Sequence, residues 1–173
     1  MIKKRNFDEI MDRLEHRNRI PKISEFTRKD CLFLYEKLAD NSIEADHVFL
    51  SYEKAKKYNK EYHADFSELK ESHWIFAETG RGDFWIIDLD DIQSPPTVFF
   101  YDHDHGDFSP ENMQNISIHI LEWFELADLI SQLHNKDFYD EDFRLTEHWR
   151  QKAIEEIEKI KKGLSKKSPF QLF

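Results

Sequence analysis

Between residues 73 and 101 the chain carries three short runs that are almost wholly aromatic or branched: His73-Trp74-Ile75-Phe76-Ala77-Glu78, Phe84-Trp85-Ile86-Ile87-Asp88-Leu89 and Thr97-Val98-Phe99-Phe100-Tyr101. Side chains of this kind fit a pleated, packed surface, and the runs have ordinary strand lengths. The first two are joined by Thr79-Gly80-Arg81-Gly82, where glycine can supply a positive φ, so they predict a hairpin. Pro95-Pro96 marks the second connection as a loop. The near-continuous apolar character of the runs predicts a sheet covered, at least in part, on both faces.

Helical periodicity brackets this region. Phe7, Ile10, Met11 and Leu14 predict an amphipathic helix over 7–18, ended by Ile20-Pro21. Thr27 reads as the N-cap of a second helix whose apolar stripe is Cys31, Leu34, Tyr35 and Leu38. Asp40-Asn41-Ser42 reads as a loop, and His47 to Leu50 as a short strand. Ser51 caps a third helix reaching about Tyr62. After a loop over 108–115, Ser117 is expected to start a helix carrying Ile120, Leu121, Phe124, Ala127, Leu129 and Ile130. Thr146 caps a last helix, Gly163 suits its C-terminal end, and the tail from Leu164 is expected to fray. Helices, then an antiparallel meander, then helices predict an α+β domain with a central, mostly antiparallel sheet.

At 173 residues with 14% aromatics, the chain is sized and composed for one domain with a substantial core. One cysteine excludes an internal disulfide, and Cys31 is expected to act as a small core hydrophobe. No apolar run approaches membrane-spanning length, and the first dozen residues lack a signal-peptide core, so a cytoplasmic protein is expected.

Charge is uneven along the chain. The total is 25 basic against 35 acidic groups, and residues 81–145 alone hold 3 basic and 15 acidic groups. Such a segment repels nucleic-acid phosphates and attracts basic proteins, although a merely solvated acidic surface fits the charge as well. Within it, Asp102-His103-Asp104-His105-Gly106-Asp107 mixes imidazole and carboxylate as metal sites do. The ordinary alternative is a polar turn after a strand, ordered by aspartates bonding the local backbone. Asp88, Asp90 and Asp91 could in principle do acid–base work, but acids at a strand end are more often solvated. No nucleophile elbow or phosphate loop is present; Gly80-Arg81-Gly82-Asp83 precedes a strand, not a helix.

The order of motifs resembles the SUKH superfamily. Ser51-Tyr52-Glu53-Lys54-Ala55 with Tyr58-Asn59 is similar to its helix start, and Trp74 to Ala77 followed by Gly82-Asp83 through Leu89 to its signature hairpin. Val98 to Asp104 resembles the next strand with its histidine–acid exit, and Ile116 to Leu129, containing Glu122-Trp123-Phe124, the following helix. The resemblance covers 49–133 of a single domain spanning 1–173. Ile20-Pro21 and Asn41-Ser42 are poor substitutes for the family's usual N-terminal motifs, and 146–163 looks like a helical extension.

The resemblance implies a non-enzymatic α+β protein. Bacterial members are largely immunity proteins that neutralise a secreted toxin, often a nuclease; fungal relatives look like scaffolds in cell-wall synthesis signalling. Combined with the charge, this leads to an expected acidic surface that docks a basic toxin domain, with no cofactor, no metal, no direct nucleic-acid contact and no membrane. The expected partner-binding residues are Arg81, Asp83, Trp85, Asp88, Asp90, Asp91, Asp102, Asp104 and Asp107, with Trp85 as apolar anchor if exposed. The alternatives are an intracellular regulatory scaffold and a metal-dependent hydrolase using His103, His105 and Asp107.

Overall fold

The computed structural model describes residues 1–167 and 169. In chain order the elements are α1 (Phe7–Met11), α2 (Leu32–Lys37), β1 (Asn41–Glu44), β2 (His47–Phe49), α3 (Tyr52–Asp65), β3 (His73–Glu78), β4 (Phe84–Asp88), β5 (Thr97–Tyr101), β6 (Met113–His119), α4 (Ile120–Ser131) and α5 (Glu147–Ile160). The six strands form one sheet in sequence order, and each is antiparallel to its neighbours. The fold is therefore α+β, built as a meander in which every strand connection joins adjacent strands. No described helix is long and apolar enough to cross a membrane.

Both faces of the sheet are covered, as the apolar runs predict. Side chains alternate along β4. Phe84 meets Tyr58 and Tyr62 of α3 on one side, while Trp85 meets Trp123 of α4 on the other. The same alternation in β5 sends Tyr101 toward Phe84 and Phe100 toward Trp85. Trp85 and Trp123 are the largest of the fully buried side chains, and Trp74 joins them in the core.

One buried polar residue solves a backbone problem that this geometry creates. β2 is short and pairs only with the second half of β3, at Glu78 and Ala77. The outward backbone groups of Ile75 consequently have no strand beside them. Asn59 of α3 takes that place: its Oδ1 accepts from the Ile75 amide at 2.8 Å and its Nδ2 donates to the Ile75 carbonyl at 2.9 Å. An unpaired buried backbone group would cost about 1–3 kcal/mol, so an amide side chain here substitutes for a strand.

The structure corrects several boundaries. The first helix stops at Met11 instead of reaching residue 18, because the His16 ring bonds the Met11 carbonyl at 2.8 Å and His16 bridges to Leu38. Thr27 caps nothing; α2 begins at Leu32 because Arg28 and Asp30 are drawn to the loop before β5, where Arg28 donates to the carbonyls of Asp91 and Gln93. The stripe of Cys31, Leu34, Tyr35 and Leu38 is buried as expected, and burial pushes the Cys31 thiol up to about 12. Asn41-Ser42 opens β1 instead of forming a loop. Ser51 precedes α3, but its side chain makes no capping bond, and neither does that of Thr146 before α5.

Ser117 lies inside β6 and does not start a helix. It adopts φ 63° there, with its amide bonded to Asn115 Oδ1. The α4 cap is His119, whose Nδ1 accepts from the Glu122 amide while the Glu122 carboxylate accepts from the His119 amide. Leu164 is buried, and Lys167 bonds Gln114 and Ser117 along the β6 edge, so the start of the expected frayed tail is packed. Residues 168 and 170–173 lie outside the described residues.

Candidate functional site

The acidic stretch of sequence is not one surface. Strand pairing puts Phe84 opposite Tyr101 and Ile87 opposite Val98. Residues 81–83 and 102–107 therefore share one end of the sheet, and residues 88–91 lie at the other, about 15 Å away along β4. Part of the central acidity is also neutralised by the N-terminus: Arg5 pairs with Asp128 at 2.7 Å and Lys4 with Glu125 at 3.1 Å. Eight of the nine expected binding residues thus form two clusters with different environments, and the ninth, Trp85, lies in neither.

In the first cluster Asp83 is a buried structural acid. Its carboxylate accepts from the Thr79 hydroxyl at 3.0 Å and from the His103 ring at 2.6 Å, and also from the His103 amide. Burial works against ionisation of Asp83, but the His103 and Thr79 bonds outweigh it and lower its pKa. The same bond, together with nearby aspartates, raises the His103 pKa. Gly82, at φ 99°, makes the tight turn that delivers Asp83 to this position. Arg81 is exposed and pairs with Asp46 at 3.2 Å. Asp102 bonds the Asp104 amide, and Asp107 bonds the Ser109 amide and the Asn112 side chain, which is the ordered polar turn read from the sequence. Asp104 is exposed.

Trp85 does not belong to any surface. It is fully buried, and its Nε1 donates to the Asp46 carbonyl at 2.8 Å. The alternation along β4 that exposes Phe84 to α3 sends Trp85 into the α4 layer, so it cannot serve as an anchor for a partner.

The grouping of potential metal ligands also differs from the one the hydrolase alternative needs. Ligand atoms of Asp83, Asp102 and His103 all lie within 4.8 Å of one another, and His105 and Asp107 are not in that group. Asp83 and His103 already engage each other through their 2.6 Å hydrogen bond, which is an ion pair when the imidazole is protonated. The His103 charge is a local stabilising element with a defined pH window. Because its folded pKa is raised, its contribution is complete below the ordinary histidine value of about 6.5 and is lost as pH rises through the folded value. Replacing Asp83 with Asn is expected to return the His103 pKa toward about 6.5, read from its ring resonances by NMR titration. An unaltered titration would mean that Asp83 does not control it.

The second cluster is a pinned loop. The Asp90 amide donates to Asp88 Oδ1 and the Asp91 amide to the Asp88 carbonyl. Both carboxylate oxygens of Asp91 are used, one by the Gln93 amide at 2.8 Å and the other by the Thr97 amide at 2.9 Å. Burial would raise the Asp91 pKa, but these amides outweigh it and hold it low. From behind, Arg28 donates to the Asp91 and Gln93 carbonyls and pairs with Asp30 at 2.6 Å, and the Ser94 hydroxyl donates to Asp30. The loop held this way turns Asp90 and Ile92 to solvent, and Ile92 is 93% exposed.

Ile92 and Arg28 escaped the sequence reading. An isoleucine two residues after Asp90 looks like an ordinary strand-end apolar residue, and only the loop path shows that it faces outward. Arg28 lies far away in sequence, and nothing local marks its partners.

This architecture, a six-stranded antiparallel meander with helices on both faces and a clamped acidic loop at one end, defines the class as an α+β protein. The chain matches no family model, no curated protein and no solved structure.

Proposed function

We propose that the chain is a non-enzymatic docking protein that binds a basic protein domain, and that it serves as an immunity protein neutralising a secreted toxin of that charge. One observation carries the reading: the 88–93 loop presents an exposed apolar residue, Ile92, beside the exposed Asp90, on a backbone fixed by Arg28 and Asp91. A preordered loop loses little conformational freedom on binding. Its acids steer a basic partner, and its apolar residue gains by being desolvated in a partner's pocket. The resemblance of the motif order to the SUKH superfamily supports the toxin as partner, since bacterial members of that family are largely immunity proteins.

The reading assigns contact to Asp88, Asp90, Asp91 and Ile92 as one loop, with Asp90 and Ile92 touching the partner and Asp88 and Asp91 holding the shape. Asp104, Asp102 and Arg81 at the far end belong to a separate surface.

The test is neutralisation. The full chain is used to capture secreted basic proteins from its own source, and each captured protein is assayed for toxicity and for nuclease activity with and without the chain. Stoichiometric loss of that activity is expected. Capture of basic proteins whose activities continue unaffected would overturn the immunity reading.

A further inference from the structure

The connection between α4 and α5 carries a second surface feature that the 88–93 loop does not use. Its frame is rigid. Phe138 is buried and stacks on Trp149 at 3.9 Å, and Tyr139 bridges to Leu145. Asp140 then closes a tight loop: its amide donates to the Arg144 carbonyl, its carbonyl accepts from the Phe143 amide, and its Oδ1 accepts from the amides of Asp142 and Arg144. At the tip Phe143 adopts φ 59° and is 88% exposed. A bulky aromatic side chain in left-handed backbone is a strained choice, because its Cβ crowds the following carbonyl, and glycine or asparagine would fit more easily. At 88% exposure the ring finds little packing among the described residues to offset this strain.

Beside Phe143 lies an open groove of about 480 Å³, lined by His134, Asn135, Lys136, Tyr139, Asp140 and Phe143. Two aromatic rings and a carboxylate border the same space. Asp140 is the carboxylate of the lining and Lys136 its cation, while the segment 134–144 that builds the groove also exposes Asp137, Glu141 and Asp142 against Arg144 and the half-exposed His134, which contacts Glu44 at 3.4 Å. The acidic excess of the segment as a whole favours a cation, and the two rings beside Asp140 favour a planar one. A guanidinium stacks on aromatic faces, is weakly hydrated, and pairs with a carboxylate in its own plane; a compact ammonium does the last of these less well.

We propose that this groove is a binding niche for an arginine side chain of a protein partner, stacked between Tyr139 and Phe143 and paired with Asp140. The inference rests on the reading that the partner is basic, and adds to it a specific side chain and a second contact region. Phe143 is kept in strained backbone because its ring forms one wall.

The test uses the full chain, labelled with 15N, and the blocked tripeptide Gly-Arg-Gly as probe. Citrulline and norleucine replace the arginine in two control peptides. The arginine peptide is expected to shift the backbone resonances of Tyr139, Asp140 and Phe143 saturably, with at least threefold weaker binding for the citrulline peptide and none for norleucine. In F143G the shifts are expected to vanish while the Tm stays at or above the parent value, because glycine relieves the strain. Equal response to the norleucine peptide, an unchanged response in F143G, or shifts spread over all surface acids would each overturn the niche. If variants of the 88–93 loop leave partner association unchanged while the arginine peptide still saturates at 139–143, the failure belongs to that loop and the niche stands.

Discussion

Truncating Trp123 to alanine is expected to lower stability by about 3–5 kcal/mol, which for a chain of this size is a fall in Tm of roughly 6–20 °C. Trp123 is fully buried where α4 meets the sheet, and its ring contacts His47 at 5.4 Å, Phe76 at 5.1 Å and Trp85 at 5.9 Å. β3 and β4 are fixed by pairing on both sides and cannot move in to fill the space. A second variant separates volume from polarity. The Trp123 indole Nε1 is buried and has no hydrogen-bond partner among the described residues. Trp123→Phe removes that unsatisfied donor while keeping an aromatic ring, so it is expected to cost less than half as much as alanine. Urea unfolding of the three proteins checks both statements; equal losses for Phe and Ala would show that the retained ring recovers none of the lost packing and would overturn the second expectation.

The double variant D90K/I92A is expected to weaken binding to the captured basic partner by about 10- to 100-fold, with a flatter salt dependence of the association rate. Both side chains are exposed, and the bond made at Asp90 comes from its backbone amide, so the fold and the loop path are retained. The rate and its salt dependence report on Asp90, while slower dissociation in I92-containing proteins reports on the apolar contact. Reversing Asp88, Asp90 and Asp91 together would confuse the result. Asp91 holds the amides of Gln93 and Thr97, so D91K disrupts the loop as well as its charge. Stopped-flow association at several salt concentrations makes the measurement; unchanged rates for D90K/I92A remove the 88–93 loop from the interface.

The strands from β3 to β5 and their hairpin were legible because the relevant information is local: aromatic and branched runs, a glycine-bearing turn and a proline pair. β6 was not, because Gln114 and Asn115 near its start are polar and Ser117 breaks the alternation with a left-handed φ. Its strand character comes from pairing with β5, which no local preference announces. The start of α2 failed for a related reason. Thr27 has good capping chemistry, but Arg28 and Asp30 gain more from the distant 91–94 loop than the helix gains from a cap.

Among the candidate binding residues the gap is sharper. Asp83, Asp91 and Asp104 are the same residue type in the same acidic segment, yet one is a buried partner of His103, one pins a loop and one faces water. Trp85 and Phe143 are both aromatics in that segment, and the buried one was the expected anchor.

The sequence by itself determined the α+β class, the hairpin of β3 and β4, the covered sheet and the burial of Cys31, because periodicity and turn chemistry act over a few neighbouring residues. Only the tertiary structure decided that the carboxylates fall at two ends of the sheet, that N-terminal cations neutralise Asp128 and Glu125, and that Ile92 and Phe143 face outward. Those outcomes depend on strand register and on contacts between residues far apart in the chain, where a shift of one residue exchanges the buried face for the exposed one.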